Sequence, residues 1–284
     1  FKERGVISYD SRFPNFESIA FLLGDMTDSI AGVISNGVYK MNITNGQITP
    51  FLLPPFDSAF IQFNDLGRNG FSNIAVTDDG HYLVATYAYL DSNKFVNSKL
   101  GLYDMVENTW KYTNVTLSDN PTWSTSVFHI PVIYDDKIYI NVGNSLICHN
   151  FGSGKRIWKI DFNADFLFSG YIIEDNQLLA NCENDIFYCI NPATGAIKWH
   201  AEGAGTSSPL RYLNRIVYFS GGSTGRIHAI DTNTGEYVWR LEPDKYDNAE
   251  DFKPDIYVAP GQNGEKGKVI ICTPTKAYCL PAYR

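Results

Sequence analysis

The sequence has few of the residue patterns that carry chemistry. Its five histidines are scattered, no CxxC, HxH or HExxH spacing occurs, and none of the five cysteines is adjacent to another. A metal centre with the usual ligand spacing is therefore not expected. Charged residues make up only 19% of the 284 residues and the net charge is −8. That balance repels a polyanion and argues against nucleic acid or an acidic membrane surface as partner. No apolar run approaches the ~20 residues that span a bilayer, so no transmembrane segment is expected. The glycine-rich stretches at Gly221-Gly222 and from Gly261 to Gly267 lead into strand-like segments. They lack the helix N-terminus of a phosphate cradle and read as turns. Asp247, Glu250, Asp251 and Asp255 fall in one acidic segment, which reads as a solvated loop rather than a pair of carboxylates held for glycoside cleavage.

What the sequence does contain is a recurring phrase with its spacing intact. Asn150, Gly154 and Trp158 are followed by Asn191, Gly195 and Trp199, and then by Asp231, Gly235 and Trp239. In each copy an Asn or Asp precedes Gly by four residues and Trp by eight, and the copies begin 41 and then 40 residues apart. A period of that size means stacked supersecondary units. Two weaker copies extend the series: Asn42 with Gly46 and Pro50, and Asp104 with Asn108 and Tyr112. Asn is the non-glycine residue that best tolerates a left-handed backbone, so Asn108 preserves the geometry of the phrase. The Asn or Asp side chain accepts a backbone hydrogen bond two residues on, and the Gly supplies the positive φ that reverses the chain. The Trp then falls on the returning strand, where its ring docks one unit against the next.

Upstream of each phrase the apolar residues follow strand periodicity. Before Asn191, for example, Tyr171 to Ala180 contains two strands around the polar Asp175-Asn176, and Phe187-Tyr188-Cys189 forms a third after Glu183-Asn184-Asp185. Four short antiparallel strands per unit of about 40 residues describe a β-propeller blade. The pattern of a small residue, an apolar residue, Asp or Asn, then Gly and Trp reads here as Ala229-Ile230-Asp231 and Cys189-Ile190-Asn191. Cys148-His149-Asn150 departs from it at the middle position. This pattern resembles the blade signature of the quinoprotein-type propellers with PQQ-like repeats. That superfamily holds PQQ-dependent dehydrogenases and non-enzymatic relatives, including a lipoprotein that assists outer-membrane β-barrel assembly. The match is strong over residues 120–243.

The expected architecture is all-β, a single β-propeller domain over residues 1–284. Its blades are four-stranded and antiparallel, six in number, with seven as the alternative because the interval from Asn42 to Asp104 is 62 residues. Ala277 to Pro281 reads as the third strand of a last blade. Gly5-Val6-Ile7-Ser8-Tyr9 offers Gly followed at the fourth position by an aromatic, and is expected to close the ring by completing that blade. Residues 71–90 and 99–112 read as one blade, with an insertion from Asp91 to Ser98. Cys148, Cys189 and Cys279 occupy the small-residue position that Ala229 fills, so buried thiols are expected. The pairs Cys182/Cys189 and Cys272/Cys279 are left as disulfide alternatives that need a short Cα separation.

No catalytic, cofactor-binding or metal-binding residue is identified, and no cofactor is expected. The quinone dehydrogenases carry extra blades, acidic calcium ligands and often a vicinal cysteine pair, none of which can be placed here. The resemblance favours a non-catalytic, monomeric propeller that binds a protein or peptide partner, with a glycan as a further ligand class, in cell-envelope assembly. It implies export, to the periplasm or to an outer-membrane anchor, with the targeting segment absent from this chain. The alternative is a small-ligand or glycan-active propeller, including a PQQ-dependent sugar or alcohol dehydrogenase. Binding residues concentrate on loops that depart from the repeat. The candidates are Trp123, which lies outside the Trp phrase, together with Asp91 and Asp251.

Overall fold

The computed structural model describes residues 4–8, 19–22, 29–34, 37–42, 48–52, 70–90, 93, 95–122, 125–164, 170–205, 209–221, 225–242, 252, 255–262 and 265–284. All regular structure among them is β, as the strand periodicity predicts. Twenty-four strands form six sheets in which sequence neighbours pair antiparallel. The chain separates into two compact units, Phe1–Lys159 and Ile160–Arg284.

In the first unit, β1 (Arg4–Ser8), β2 (Ile19–Leu22), β3 (Ser29–Ile34), β4 (Gly37–Asn42) and β5 (Ile48–Leu52) form the first sheet. The second sheet holds β6 (Gly70–Val76), β7 (Tyr82–Leu90), β8 (Val96–Asp104) and β9 (Thr109–Thr116). The third is β10 (Val132–Tyr134), β11 (Lys137–Val142), β12 (Ser145–Asn150) and β13 (Arg156–Asp161), whose last strand runs across the unit boundary. Alternate residues of the second sheet point to opposite sides and both sides are covered. Ile74, Leu83 and Ala85 pack with Phe51 and Leu52 of β5. Val84, Leu100 and Leu102 pack with Ile138, Ile140 and Ile147 of the third sheet.

The second unit repeats this arrangement. Its fourth sheet holds β14 (Tyr171–Glu174), β15 (Gln177–Cys182), β16 (Ile186–Ile190) and β17 (Ile197–Glu202). The fifth holds β18 (Arg211–Leu213), β19 (Ile216–Gly221), β20 (Arg226–Asp231) and β21 (Tyr237–Leu241). The sixth has three strands, β22 (Tyr257–Ala259), β23 (Lys268–Cys272) and β24 (Ala277–Pro281). Val217, Phe219 and Ile230 face the fourth sheet, whereas Ile216, Tyr218 and Ala229 face the sixth. Every residue of β19 is buried, which is why this strand reads as a continuous apolar run.

In the third, fourth and fifth sheets the polar turn between first and second strands is a two-residue hairpin with both residues at positive φ. Asp135 and Asp136 lie at 49° and 53°, Asp175 and Asn176 at 46° and 54°, and Asn214 and Arg215 at 51° and 64°. These are type I′ turns, whose twist matches that of the flanking strands.

Two expectations are corrected. The N-terminal strand β1 pairs with β2 at the edge of the first sheet, not with the last blade. Pairing with a near neighbour in sequence closes a short loop, which costs less chain entropy than closure across the whole chain. The Asp91–Ser98 insertion is also shorter than expected, because Val96, Asn97 and Ser98 belong to β8 and pair with Leu90, Tyr89 and Ala88. The rest of that reading holds, since β6, β7, β8 and β9 build one sheet. Residues 53–69, where a further blade would lie, are outside the described residues.

Candidate binding edge

The phrase residues form the turn that leads into the fourth strand of the third, fourth and fifth sheets. Asn150 Oδ1 accepts from the Ser153 N–H at 3.0 Å, Asn191 Oδ1 from Ala193 at 2.9 Å, and Asp231 Oδ1 from Asn233 at 2.9 Å. The N–H of Gly154, Gly195 and Gly235 donates to the carbonyl of the phrase Asn or Asp at 2.9, 2.8 and 2.8 Å. Their φ values are 67°, 75° and 77°, and Asn108 takes the same conformation at 55°.

The aromatic of one phrase reaches the turn of the next phrase within the same unit. In the first unit Tyr112 donates its hydroxyl to the Phe151 carbonyl at 2.9 Å, and its ring would stand 2.9 Å from a Cβ on Gly154. In the second unit Trp199 Nε1 donates to the Thr232 carbonyl at 3.1 Å, and its ring lies over Gly235. Phe151 and Thr232 both directly follow the phrase Asn or Asp, so two different aromatics make the same link. Trp158 stacks at a tilt on Tyr139, and Trp239 does the same on Tyr218.

Strand register allows the sheets to be compared position by position. The phrase residue opposes the start of the second strand: Asp104 faces Tyr82, Asn150 faces Lys137, Asp231 faces Ile216, and in the sixth sheet Pro281 faces Lys268. Two residues before the phrase stand Leu102, Cys189 and Ala229. Each opposes the aromatic of the fourth strand, Tyr112, Trp199 or Trp239. On the other side they oppose Val84, Leu179 and Tyr218. A small residue here gives the indole room, which explains Cys189 and Ala229. The members of these rows on the second and third strands are buried.

In the sixth sheet the equivalent row is Tyr257, Ile270 and Cys279. It ends at β24, beside which no fourth strand is paired among the described residues. Tyr257 is 51% exposed, Ile270 39%, and Cys279 is also exposed. The opposite face is closed, because Val269 and Ile271 are fully buried against the fifth sheet. The three residues after β24 contact the fifth sheet. Ala282 is buried in the core shared by the fifth and sixth sheets, the Tyr283 N–H donates to Tyr218 Oη at 3.0 Å, and Arg284 pairs with Asp231. Among the described residues the sixth sheet thus ends at β24, beside an exposed apolar row. Such an edge is a template for another strand.

Other titratable groups are held in inert states. Burial pushes the thiols of Cys148 and Cys189 up to about 11, so they stay protonated and unreactive at neutral pH. None of the five cysteines is in a disulfide. Cys182 opposes Ile186 and Cys189 opposes Leu179, so these two thiols are not cross-strand partners. His228 is buried, stacked on Phe219 and pushed down to about 4, first by burial and then by Arg240 and Arg226. His149 is lowered mainly by burial, and its Nδ1–H donates to the Gly154 carbonyl at 2.8 Å. Among the described residues no three His, Cys, Asp or Glu side chains cluster as metal ligands. Trp123, Asp91 and Asp251 lie outside the described residues. The β24 edge escaped sequence reasoning because Ile270 and Cys279 have the same residue character as their buried counterparts.

The sequence model of the family described as outer membrane protein assembly factor BamB matches residues 107–273. No curated protein matches the chain. Among solved structures, a chain of the mitotic checkpoint complex is similar with a TM-score of 0.59 at 11% identity, over 90% of this chain and 74% of its own. KlHsv2 carrying a Gly-Ser linker in place of its loop 6CD is similar with a TM-score of 0.54 at 12% identity, over 92% and 76%. At these identities the likeness speaks for the fold alone. Together with the antiparallel four-stranded units it places the chain in the β-propeller class.

Proposed function

The chain belongs to the family of the outer membrane protein assembly factor BamB, whose model matches more than half of its length, and from that premise we propose that it is a non-catalytic, exported scaffold that binds a partner protein or peptide through its sixth sheet. The observation that carries this reading is the exposed row of Tyr257, Ile270 and Cys279 beside β24, the last strand of the sixth sheet among the described residues. The second- and third-strand members of the equivalent rows in the second, fourth and fifth sheets are buried, so this one leaves apolar surface that an interaction would remove from water. The family's role in outer-membrane assembly supports a partner in the cell envelope, where an exported scaffold would meet other chains before they are fully folded.

Selection of peptides from a displayed random library on the immobilised protein tests this. We expect extended, aromatic-bearing peptides to be enriched, and Ile270→Asp to weaken their binding at least tenfold while near-ultraviolet circular dichroism shows an intact fold. Ile270 is partly exposed, so the substitution leaves the core in place. A selection that enriches nothing, or peptides indifferent to Ile270→Asp, would overturn the reading.

A further inference from the structure

We propose that His149 makes the contact between the second and third sheets sensitive to acid: a proton on its buried imidazole releases the turn after β12 from Tyr112. This regulation does not depend on the partner reading above. His149 stands directly before the phrase residue, where the fourth, fifth and sixth sheets carry Ile190, Ile230 and Leu280. It is 1% exposed and lies on the side of β12 that Ile147 turns to the second sheet. The Nδ1–H donates to the Gly154 carbonyl at 2.8 Å. A carbonyl can only accept, so the neutral ring carries its proton on Nδ1 and keeps a lone pair at Nε2. Nε2 is buried and has no hydrogen-bond partner among the described residues.

The turn held by His149 is also the one that docks on the second sheet. The Phe151 carbonyl accepts from the Tyr112 hydroxyl, the Phe151 ring meets Tyr82 edge-on with centroids 5.5 Å apart, and Gly154 lies against Tyr112 and Val115. Gly152, Ser153 and Lys155 of the turn are exposed, so it can lift while β11 and β12 stay paired.

A second proton on the ring has no favourable place in the closed form. It would put an N–H donor at Nε2 with nothing to accept it, and a positive charge near that of Arg156. The nearest carboxylate to Arg156, that of Asp119, is already engaged by the guanidinium at 2.7 Å. The other titratable groups at the contact are Tyr82, Tyr112 and the set His81, Asp104 and Lys111 on the second sheet. From the third sheet come Lys137 paired with Asp135, and the exposed Asp136 and Lys155. Lifting the turn gives Nε2 to water, so protonation and opening are linked and acid populates the open form.

Amide exchange of the full chain at pH 7, 6 and 5 tests this. The N–H groups of Phe151 and Gly154, which donate to the Asp136 and Asn150 carbonyls, report on the turn once corrected for the intrinsic exchange rate at each pH. Their protection is expected to fall about tenfold or more between pH 7 and pH 5, as an imidazole of ordinary pKa gains its proton in the open form. Hydroxyl-radical labelling of Tyr112 should rise over the same range. His149→Ile installs the residue of the fourth and fifth sheets and should hold both readouts flat with pH. His149→Asn, which keeps a donor for the Gly154 carbonyl without a titrating ring, should do the same and covers the case in which the isoleucine variant folds poorly. Turn protection that stays constant with pH in the parent, or falls equally in both variants, would overturn the proposal. So would a turn that opens in acid while the labelling of Tyr112 stays constant.

Discussion

The indole of Trp199 rests on Gly235 of the adjacent sheet, so closely that a Cβ on the glycine would stand 2.8 Å from the ring. Its N–H donates to the Thr232 carbonyl three residues earlier in the same turn. The turn glycine thus has two functions: its positive φ reverses the chain, and its missing side chain leaves a flat seat for the ring. Tyr112 and Gly154 repeat the relationship in the first unit with a different aromatic.

The two functions of the glycine can be separated by comparing two substitutions. Gly80 also has positive φ, at 71°, but nothing lies within 4 Å of a Cβ built on it. Gly80→Ala is expected to cost only the left-handed strain, roughly 1–2 kcal/mol. Gly235→Ala adds overpacking against the indole, roughly 1–3 kcal/mol more. Urea unfolding of both variants checks this, and equal losses would show that the ring contact adds nothing.

The hydrogen bonds of the docking aromatics should be measurable apart from their rings. Tyr112→Phe keeps the ring over Gly154 and removes the donor to the Phe151 carbonyl, for an expected loss of about 1 kcal/mol. Trp199→Ala removes both ring and donor and is expected to cost about 3–5 kcal/mol. If Trp199→Ala costs under about 1 kcal/mol, the level of an ordinary surface change, the docking role is wrong.

A buried polar position recurs in the second strand of four sheets, at Thr86, Asn141, Asn181 and Ser220, each four residues beyond the first residue of its strand. Thr86 shows one use of it. Its hydroxyl donates to the Asn73 carbonyl at 3.2 Å and accepts from the Asn73 N–H at 3.1 Å, beside the bulge where β6 slips register. Thr86→Val keeps the shape and leaves the Asn73 N–H unpaired, so a loss of about 1–3 kcal/mol is expected in thermal or urea unfolding. A variant as stable as the parent would mean that the bulge does not need the hydroxyl.

The turns were legible because everything that makes them is local. An Asn or Asp side chain, a positive-φ glycine and a type I′ pair each act within a few residues. The strands were legible from alternation and from runs such as Ile216–Gly221. What the sequence hid depends on contacts between distant residues. Gly235 looks like a turn glycine until Trp199 is seen on it. Thr86, Asn141 and Asn181 look like the outward members of alternating strands, yet their burial comes from neighbouring elements. The spacing of Gly5 and Tyr9 resembled a fourth strand, but ladder partners are set by the whole sheet, and β1 pairs with β2. Ile270 and Cys279 carry the pattern of a buried row, and only the strand beside them decides whether it is buried.

His228 makes stability depend on pH in a defined window. Its ring is buried between Phe219 and Tyr237, with Arg226, Arg240, Asp185 and Glu242 as the charged groups around it. Neither ring nitrogen has a hydrogen-bond partner among the described residues, so the folded state holds the imidazole neutral down to about pH 4, against an ordinary value of 6.5. Above pH 6.5 both states are neutral and the residue contributes no pH dependence. As pH falls below 6.5 the unfolded chain binds a proton that the folded chain refuses, so stability drops until the folded value near 4 is reached. Between pH 7 and pH 4.5 the loss from this residue should be about 2 kcal/mol. His228→Phe preserves the ring and removes the titration, and the difference between parent and variant cancels the similar contribution of His149. Urea unfolding at pH 7, 5.5 and 4.5 should show the variant gaining on the parent as pH falls. A constant difference would mean that His228 titrates alike in the folded and unfolded chains.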